Sequence, residues 1–152
     1  MTFIEWSDDY NTGIFDIDKE HRRLFALIND IYDKAEVGSA ETSVKATIEA
    51  LVDYVNYHFD REETLMDACC YHDTESHKLE HRRLRSQVEA YRTLYERNPE
   101  SFDMADFIEF LIYWIQDHIL QSDMAYVPYV RRRVAGIAWE ASLQIPPKRL
   151  AD

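Results

Sequence analysis

The chain contains little glycine and proline, three and four residues respectively among 152. So few turn-forming residues exclude collagen-like repeats and a sandwich of many short strands. Apolar residues make up 46% of the sequence, which excludes intrinsic disorder. We therefore expect one mostly helical domain, since a chain of about 150 residues commonly forms a single domain.

The sequence also lacks a long apolar run, because the longest one, Phe110 to Ile115, is far too short to span a bilayer. The first ten residues have neither the basic start nor the apolar stretch of a secretory signal. Only two cysteines occur, the neighbours Cys69 and Cys70, and they do not form a disulfide framework. We therefore expect a cytoplasmic protein with reduced thiols.

Basic residues are the minority charge, with 17 Lys and Arg against 29 Asp and Glu and a net charge of -12. Such a chain repels nucleic acid and anionic lipid, so we expect no nucleic-acid partner. The short apolar runs likewise predict no transmembrane segment. The exception to the acidic charge is the basic tail, residues 131–152. We interpret it as an accessory to a domain over residues 1–130, either a short extra helix or a frayed end. The alternative is contact with a protein or a membrane surface.

Four stretches carry apolar residues at the three-and-four spacing of an amphipathic helix. Short connections make neighbouring helices antiparallel, so the sequence predicts an all-α, up-down-up-down four-helix bundle over residues 18–130. An arm over residues 1–17 precedes it. The predicted helices begin at or just after four residues: Asp18, Ala40, Asp73 and Asp103. We take Asp18 and Asp103 as N-caps.

Histidines and carboxylates recur on the apolar sides of these helices. A spacing of four places two side chains on one helix face, and this spacing occurs in His58-x-x-x-Glu62 and His77-x-x-x-His81. Buried histidines need partners, so these groups are expected to meet inside the bundle. The candidate metal ligands are His21, His58, Glu62, His77, His81, His118 and Asp123.

Seven converging ligands are too many for one zinc ion, which binds about four. Two six-coordinate ions fit better. If both carboxylates bridge the ions and one oxygen atom is shared, a single position stays open for a small ligand. A site with many imidazoles and few carboxylates favours iron.

The spacing of five between His118 and Asp123 does not suit a regular helix. Five residues turn an α-helix by about 140°, whereas four residues turn it by about 40°. Both side chains can face the metals only if the helix widens locally. We therefore predict a π-type turn between Leu120 and Asp123, a feature that often marks functional sites.

Over residues 3–130 the sequence resembles the bacterial hemerythrins. Trp114, Tyr126 and Tyr129 take part in the match. The resemblance also rests on Ile4-Glu5-Trp6-Ser7, Gly13-Ile14, Ile17-Asp18 before His21, His58-x-x-x-Glu62, His77-x-x-x-His81 and His118-x-x-x-x-Asp123.

This resemblance implies a non-haem di-iron centre that binds O2 reversibly. It assigns three histidines to one iron and two histidines to the other. The iron with two histidines carries the open position. The two carboxylates and an oxo or hydroxo group bridge the irons. The implied sets are His77, His81 and His118 for the first iron, His21 and His58 for the second, and Glu62 and Asp123 as bridges.

Reversible O2 binding for carriage, storage or delivery is therefore the leading hypothesis, with no enzymatic activity. Di-iron oxidases typically use Glu-x-x-His motifs, which the ligand-bearing faces of this chain lack. An O2 or redox sensor, and di-iron chemistry on peroxide or nitric oxide, are the alternatives. Four apolar residues are expected to line the ligand pocket, although ordinary core packing is the other interpretation: Leu24, Phe25, Trp114 and Ile115.

Overall fold

The computed structural model describes residues 3–143, and it describes side chains as far as residue 136. This part of the chain is helical and contains no β-strand. Its α-helices are α1 (Phe15–Glu36), α2 (Glu41–Ala68), α3 (Thr74–Arg97), α4 (Met104–Asp117) and α5 (Met124–Leu143). A π-helical segment, His118–Asp123, joins α4 directly to α5. These three elements form one long helix.

The helices pack as an antiparallel bundle. Helix α1 contacts α2 and α4, and α2 contacts α3 and α5. Short connections link α1 to α2, α2 to α3 and α3 to α4, so each helix returns beside the previous one. The predicted up-down-up-down four-helix bundle is confirmed.

The apolar core has two parts, and the predicted ligands lie between them. The larger cluster fills most of the bundle, and the smaller one lies at the end where α2 meets α5. Along α2, Val55 belongs to the larger cluster and Met66 to the smaller one, while His58 and Glu62 lie between. Apolar packing therefore surrounds the polar groups on both sides and keeps water away from them.

The start of α1 differs from our prediction. The helix begins at Phe15, and Asp18 is not its N-cap. The Asp18 carboxylate instead accepts hydrogen bonds from the Thr12 amide (2.8 Å), the Thr12 hydroxyl (2.7 Å) and the Gly13 amide (3.1 Å). It therefore holds the arm against the first turn of the helix. The predicted cap Asp103 is confirmed, since its carboxylate accepts from the amide of Asp106 at 3.0 Å.

The N-terminal arm lies against α1 through polar and aromatic contacts. The Asn29 side chain accepts from the amide of Ile4 and donates to its carbonyl, both at 2.9 Å. The rings of Trp6 and Tyr10 pack against Phe25, with centroids 5.2 and 5.1 Å away. The arm thus covers the face of α1 that carries Phe25.

The basic tail begins as a continuation of α5. This helix runs to Leu143, and residues 131–136 are exposed, whereas Val130 is buried in the smaller cluster. The guanidinium of Arg131 donates to the carbonyl of Thr12 at 3.1 Å. Residues 144–152 of the predicted tail lie outside the described part. Within residues 3–143, no helix is both long and apolar enough to cross a membrane.

We predict that a chain ending at Arg131 keeps the folded bundle and its metal content. The residues it loses are exposed as far as residue 136, and every predicted ligand precedes them. Thermal unfolding and metal analysis of the shortened protein test this expectation.

A chain ending at Val127 is the matched control. It also loses Val130, which is 4% exposed, and the Arg131 contact with the arm. The control should be destabilised by roughly 2 kcal/mol. Loss of metal from the chain that ends at Arg131 would show instead that the tail completes the domain.

Candidate metal centre

The π-helical segment brings the last two predicted ligands together. It extends over His118–Asp123, so the predicted widening is confirmed and begins two residues earlier than expected. The His118 Nε2 atom lies 3.0 Å from the Asp123 Oδ1 atom. The wider turn therefore places both residues on the same side of the helix, which a regular α-helix with this spacing does not do.

The structure brings all seven predicted ligands into one buried cluster. Their ligand atoms form two groups, each within 4.8 Å, and the two groups share both carboxylates. The first group is Glu62, His77, His81, His118 and Asp123, and the second is His21, His58, Glu62 and Asp123.

Short distances connect the nitrogen and oxygen atoms inside each group. In the first, His81 Nε2 lies 3.0 Å from His77 Nε2 and 3.1 Å from His118 Nε2. In the second, His21 Nε2 lies 3.0 Å from Asp123 Oδ2. All these nitrogens point toward the same small volume, which is the arrangement that a metal ion requires.

Several atoms of the cluster are buried without a hydrogen-bond partner. They include the Nε2 atoms of His21 and His58, one oxygen of Glu62 and both oxygens of Asp123. An unpaired buried polar atom is costly, and coordination to a metal ion removes that cost. Imidazole nitrogen and carboxylate oxygen are both ligands that iron accepts. The residues therefore fit a metal site, and iron suits this donor set.

The two shared carboxylates are held in their anionic form. Burial and their mutual repulsion raise the pKa of Glu62, but the surrounding histidines outweigh both and keep it far below its usual range. The pKa of Asp123 is likewise well below its ordinary value because of His118, His21 and His77, although burial opposes them. The cluster thus presents two negative charges in a dry interior, which favours a cation.

Three further carboxylates contact the outer nitrogens of the histidines. His58 Nδ1 donates to Glu20 (2.8 Å), His81 Nδ1 to Glu63 (3.0 Å) and His118 Nδ1 to Glu80 (2.8 Å). Such contacts fix the imidazole with its Nε2 toward the metal and increase its basicity. We name Glu20, Glu63 and Glu80 the outer carboxylates.

The outer carboxylates are not among the residues predicted from the sequence, although each adjoins a predicted ligand in the chain. Glu20 precedes His21, and Glu63 follows Glu62. Glu80 precedes His81 in the same way. Each accepts from a histidine of the next helix in the bundle rather than of its own helix, if α4, the π-helical segment and α5 are counted as one long helix. Their position beside a ligand is the signal by which they could have been found.

Two aromatic residues also contact the cluster, and sequence analysis gives neither of them a role. The buried Tyr126 hydroxyl donates to Glu62 at 2.7 Å. The Phe59 ring stacks on the His81 imidazole, with centroids 3.8 Å apart and planes 6° from parallel. Both restrict the movement of a predicted ligand.

The four predicted pocket residues are all buried in the larger core cluster. The Trp114 ring packs against Phe59, which stacks on His81, with the Trp114 and Phe59 centroids 6.0 Å apart. Phe25 packs against the arm instead. Lining of a ligand pocket by Leu24, Phe25, Trp114 and Ile115 stays a prediction.

Known proteins with similar sequences point to one family. The family described as Hemerythrin HHE cation binding domain matches residues 12–130. Bacteriohemerythrin of Pseudomonas aeruginosa is 34% identical over 143 residues, covering 93% of this chain and 91% of that protein. Bacteriohemerythrin of Clostridium acetobutylicum is 29% identical over 126 residues, covering 80% of this chain and 97% of that protein.

Solved structures agree with the sequence relatives. Wild-type hemerythrin superposes with a TM-score of 0.77 at 28% identity, covering 84% of this chain and 98% of that chain. A family match over most of the sequence therefore coincides with the same bundle architecture. The chain belongs to the hemerythrin family.

Proposed function

We propose that this protein binds O2 reversibly at a non-haem di-iron centre and serves in oxygen carriage, storage or delivery in the cytoplasm. Membership of the hemerythrin family implies O2 binding at non-haem iron. The observation that carries the proposal is the pair of ligand groups that share Glu62 and Asp123. Two groups with common carboxylates suit two ions held side by side.

In this proposal the larger group would hold one iron through His77, His81 and His118. The smaller group would hold the other through His21 and His58, and Glu62 and Asp123 would serve both ions. When bound, the two ferrous ions supply the electrons and the open coordination position that O2 binding requires. The outer carboxylates keep the Nε2 atoms of His58, His81 and His118 directed inward.

The surroundings of the cluster favour binding of O2 over its further conversion. Only two carboxylates face the metals, so the charge of two ferrous ions is half compensated, which disfavours higher oxidation states. The nearby Tyr126 proton is engaged with Glu62, and burial beside anionic Glu62 and Asp123 raises the pKa of Tyr126 well above its usual value. Protons that would promote loss of reduced oxygen are therefore scarce near the ligands.

We predict two iron ions per chain in protein grown with sufficient iron. His77→Ala should lose iron, because it removes a nitrogen from the larger group, and it should also lower the unfolding temperature. Metal analysis and thermal unfolding measure both effects.

His72→Ala is the matched control, since His72 is the sixth histidine, is 63% exposed and belongs to neither ligand group. It should keep both iron ions. A content near one ion per chain in the wild-type protein, or zinc in place of iron, would remove the di-iron proposal.

We predict that metal uptake releases protons and strengthens as the pH rises. Burial lowers the pKa of His21, but Asp123 and Glu62 outweigh it and raise the pKa to about 9. Below about pH 9 a metal ion must displace that proton. Anaerobic loading of chelator-treated protein with Fe(II) at about pH 7 should therefore release at least one proton per chain, measured with an indicator dye.

Loading of the His21→Ala variant at the same pH serves as the control, because the proton of His21 is then absent and its contribution disappears. Uptake at neutral pH without proton release would show that His21 carries no proton in the metal-free protein and would contradict its raised pKa.

We predict that air gives the reduced protein a visible absorption band and that argon removes it over several cycles. Ile115→Ala should keep both irons but oxidise to the ferric form faster, because it opens the apolar packing near His118 to water. Repeated visible spectra during air and argon cycles measure reversibility and oxidation rate.

Ile108→Ala is the matched control for Ile115→Ala. Both residues are buried on α4, with 5% and 1% exposure, so each substitution should cost roughly 2–5 kcal/mol of stability. Only the Ile115 variant should oxidise faster. Equal rates in the two variants would make Ile115 ordinary core, and continuous O2 consumption by the wild-type protein with a reductant would favour an enzyme.

A further inference from the structure

The carboxylate of Glu80 contacts both ends of the π-helical segment. One oxygen accepts a hydrogen bond from His118 Nδ1 at 2.8 Å. The other accepts from the Ser122 hydroxyl at 2.7 Å. His118 is the first residue of the six-residue segment and Ser122 is the fifth. A single side chain on α3 therefore connects the first and fifth residues of the irregular stretch.

This stretch has a regular alternative that would disrupt the cluster. In an ordinary α-helix Ser122 would share the face of His118, because the two residues are four apart, and Asp123 would turn away from it. In the structure Asp123 does not turn away, and Ser122 and Asp123 both lie near His118, at opposite nitrogens of its imidazole. Asp123 lies beside His118 Nε2, on the side of the cluster, and Ser122 lies with His118 Nδ1 on the side of Glu80.

The other outer carboxylates do not contact the π-helical segment in this way. Glu20 accepts a hydrogen bond from His58 on α2 and pairs at 3.0 Å with Arg61, which also lies on α2. Glu63 accepts from His81 on α3 and lies 3.5 Å from Arg85. Both histidines belong to regular α-helices. In the described part of the chain, Glu80 thus combines the usual contact to an imidazole with a second contact inside the π-helical segment.

We propose that Glu80 is a positioning residue that holds the π-helical segment in the register that brings His118 and Asp123 into the same ligand group. The consequence for metal binding rests on the proposed function. The consequence for the helix does not, because it concerns only which backbone register the segment adopts.

Hydrogen exchange of the backbone amides tests the register directly. In Glu80→Ala, amides within residues 119–124 should exchange at least tenfold faster than in the wild type, while the rest of α4 keeps its rates. Glu63→Ala is the matched control, since it also removes a partly exposed carboxylate from an imidazole Nδ1. It should leave residues 119–124 unchanged. Similar changes in both variants, or none in Glu80→Ala, would overturn the proposal.

Three further variants separate a geometric role from a charge effect. Glu80→Gln keeps both contacts, since its amide oxygen accepts from His118 and its amide nitrogen donates to Ser122, and should exchange at nearly the wild-type rate. Ser122→Ala should give a smaller increase than Glu80→Ala. The exchange rate of the double variant with Glu80→Ala and Ser122→Ala should equal that of Glu80→Ala within experimental error. The reason is that Ser122→Ala removes a contact that Glu80→Ala has already removed. A Glu80→Gln variant as fast as Glu80→Ala would contradict the proposal.

Iron release links the register to the metal. A ferrous chelator should remove iron about tenfold faster from Glu80→Ala than from Glu80→Gln, since loss of a contact behind a ligand typically weakens metal binding by at least that factor. Equal release from the two would show that Glu80 does not position the ligands. If the wild type holds no iron, the proposed function fails, and the exchange rates still decide the role of Glu80.

Discussion

The structure depends on two carboxylates, Glu62 and Asp123, that are buried in the middle of the bundle. Burying an anion costs several kcal/mol unless positive charge and hydrogen bonds compensate for it. Here each carboxylate shares its surroundings with histidines from several helices, and some of its oxygens have no hydrogen-bond partner. The fold therefore concentrates its least favourable groups at one point, and apolar clusters on either side exclude water from them. A cation held by both carboxylates would relieve this cost and would make the bundle and the site a single cooperative unit.

The outer carboxylates connect the helices around that point. Glu20 on α1 holds a histidine of α2, and Glu63 on α2 holds one of α3. Glu80 on α3 then holds His118 at the start of the π-helical segment. Each helix thus orients a ligand of the next one. This succession explains how histidines on separate helices meet with their Nε2 atoms within a few ångströms, although each helix packs mainly through apolar contacts.

Much of this architecture could be predicted from the sequence because it follows from local periodicity. The spacing of four in His58-x-x-x-Glu62 places two polar groups on an apolar helix face. Polar groups on such a face need partners, so they indicate a site inside the bundle. The spacing of five before Asp123 identifies the widened turn by the same geometry. The outer carboxylates could not be found this way, because Glu20 and Glu80 each contact a histidine 38 residues away. Phe59 had no distinct signal either, since an aromatic residue on an apolar face is ordinary core until its stacking on His81 is seen. The start of α1 was misjudged because Asp18 has the composition of a cap, whereas its carboxylate binds the arm.

We propose that Glu62 and Asp123 bridge two iron ions held by five histidines. A crystal structure of the iron-loaded protein, with anomalous diffraction data collected on both sides of the iron absorption edge, tests it most directly. We expect two iron peaks, one within the group of His77, His81 and His118 and the other beside His21 and His58, with both carboxylates contacting both peaks. One peak, or two peaks that share neither carboxylate, would contradict it.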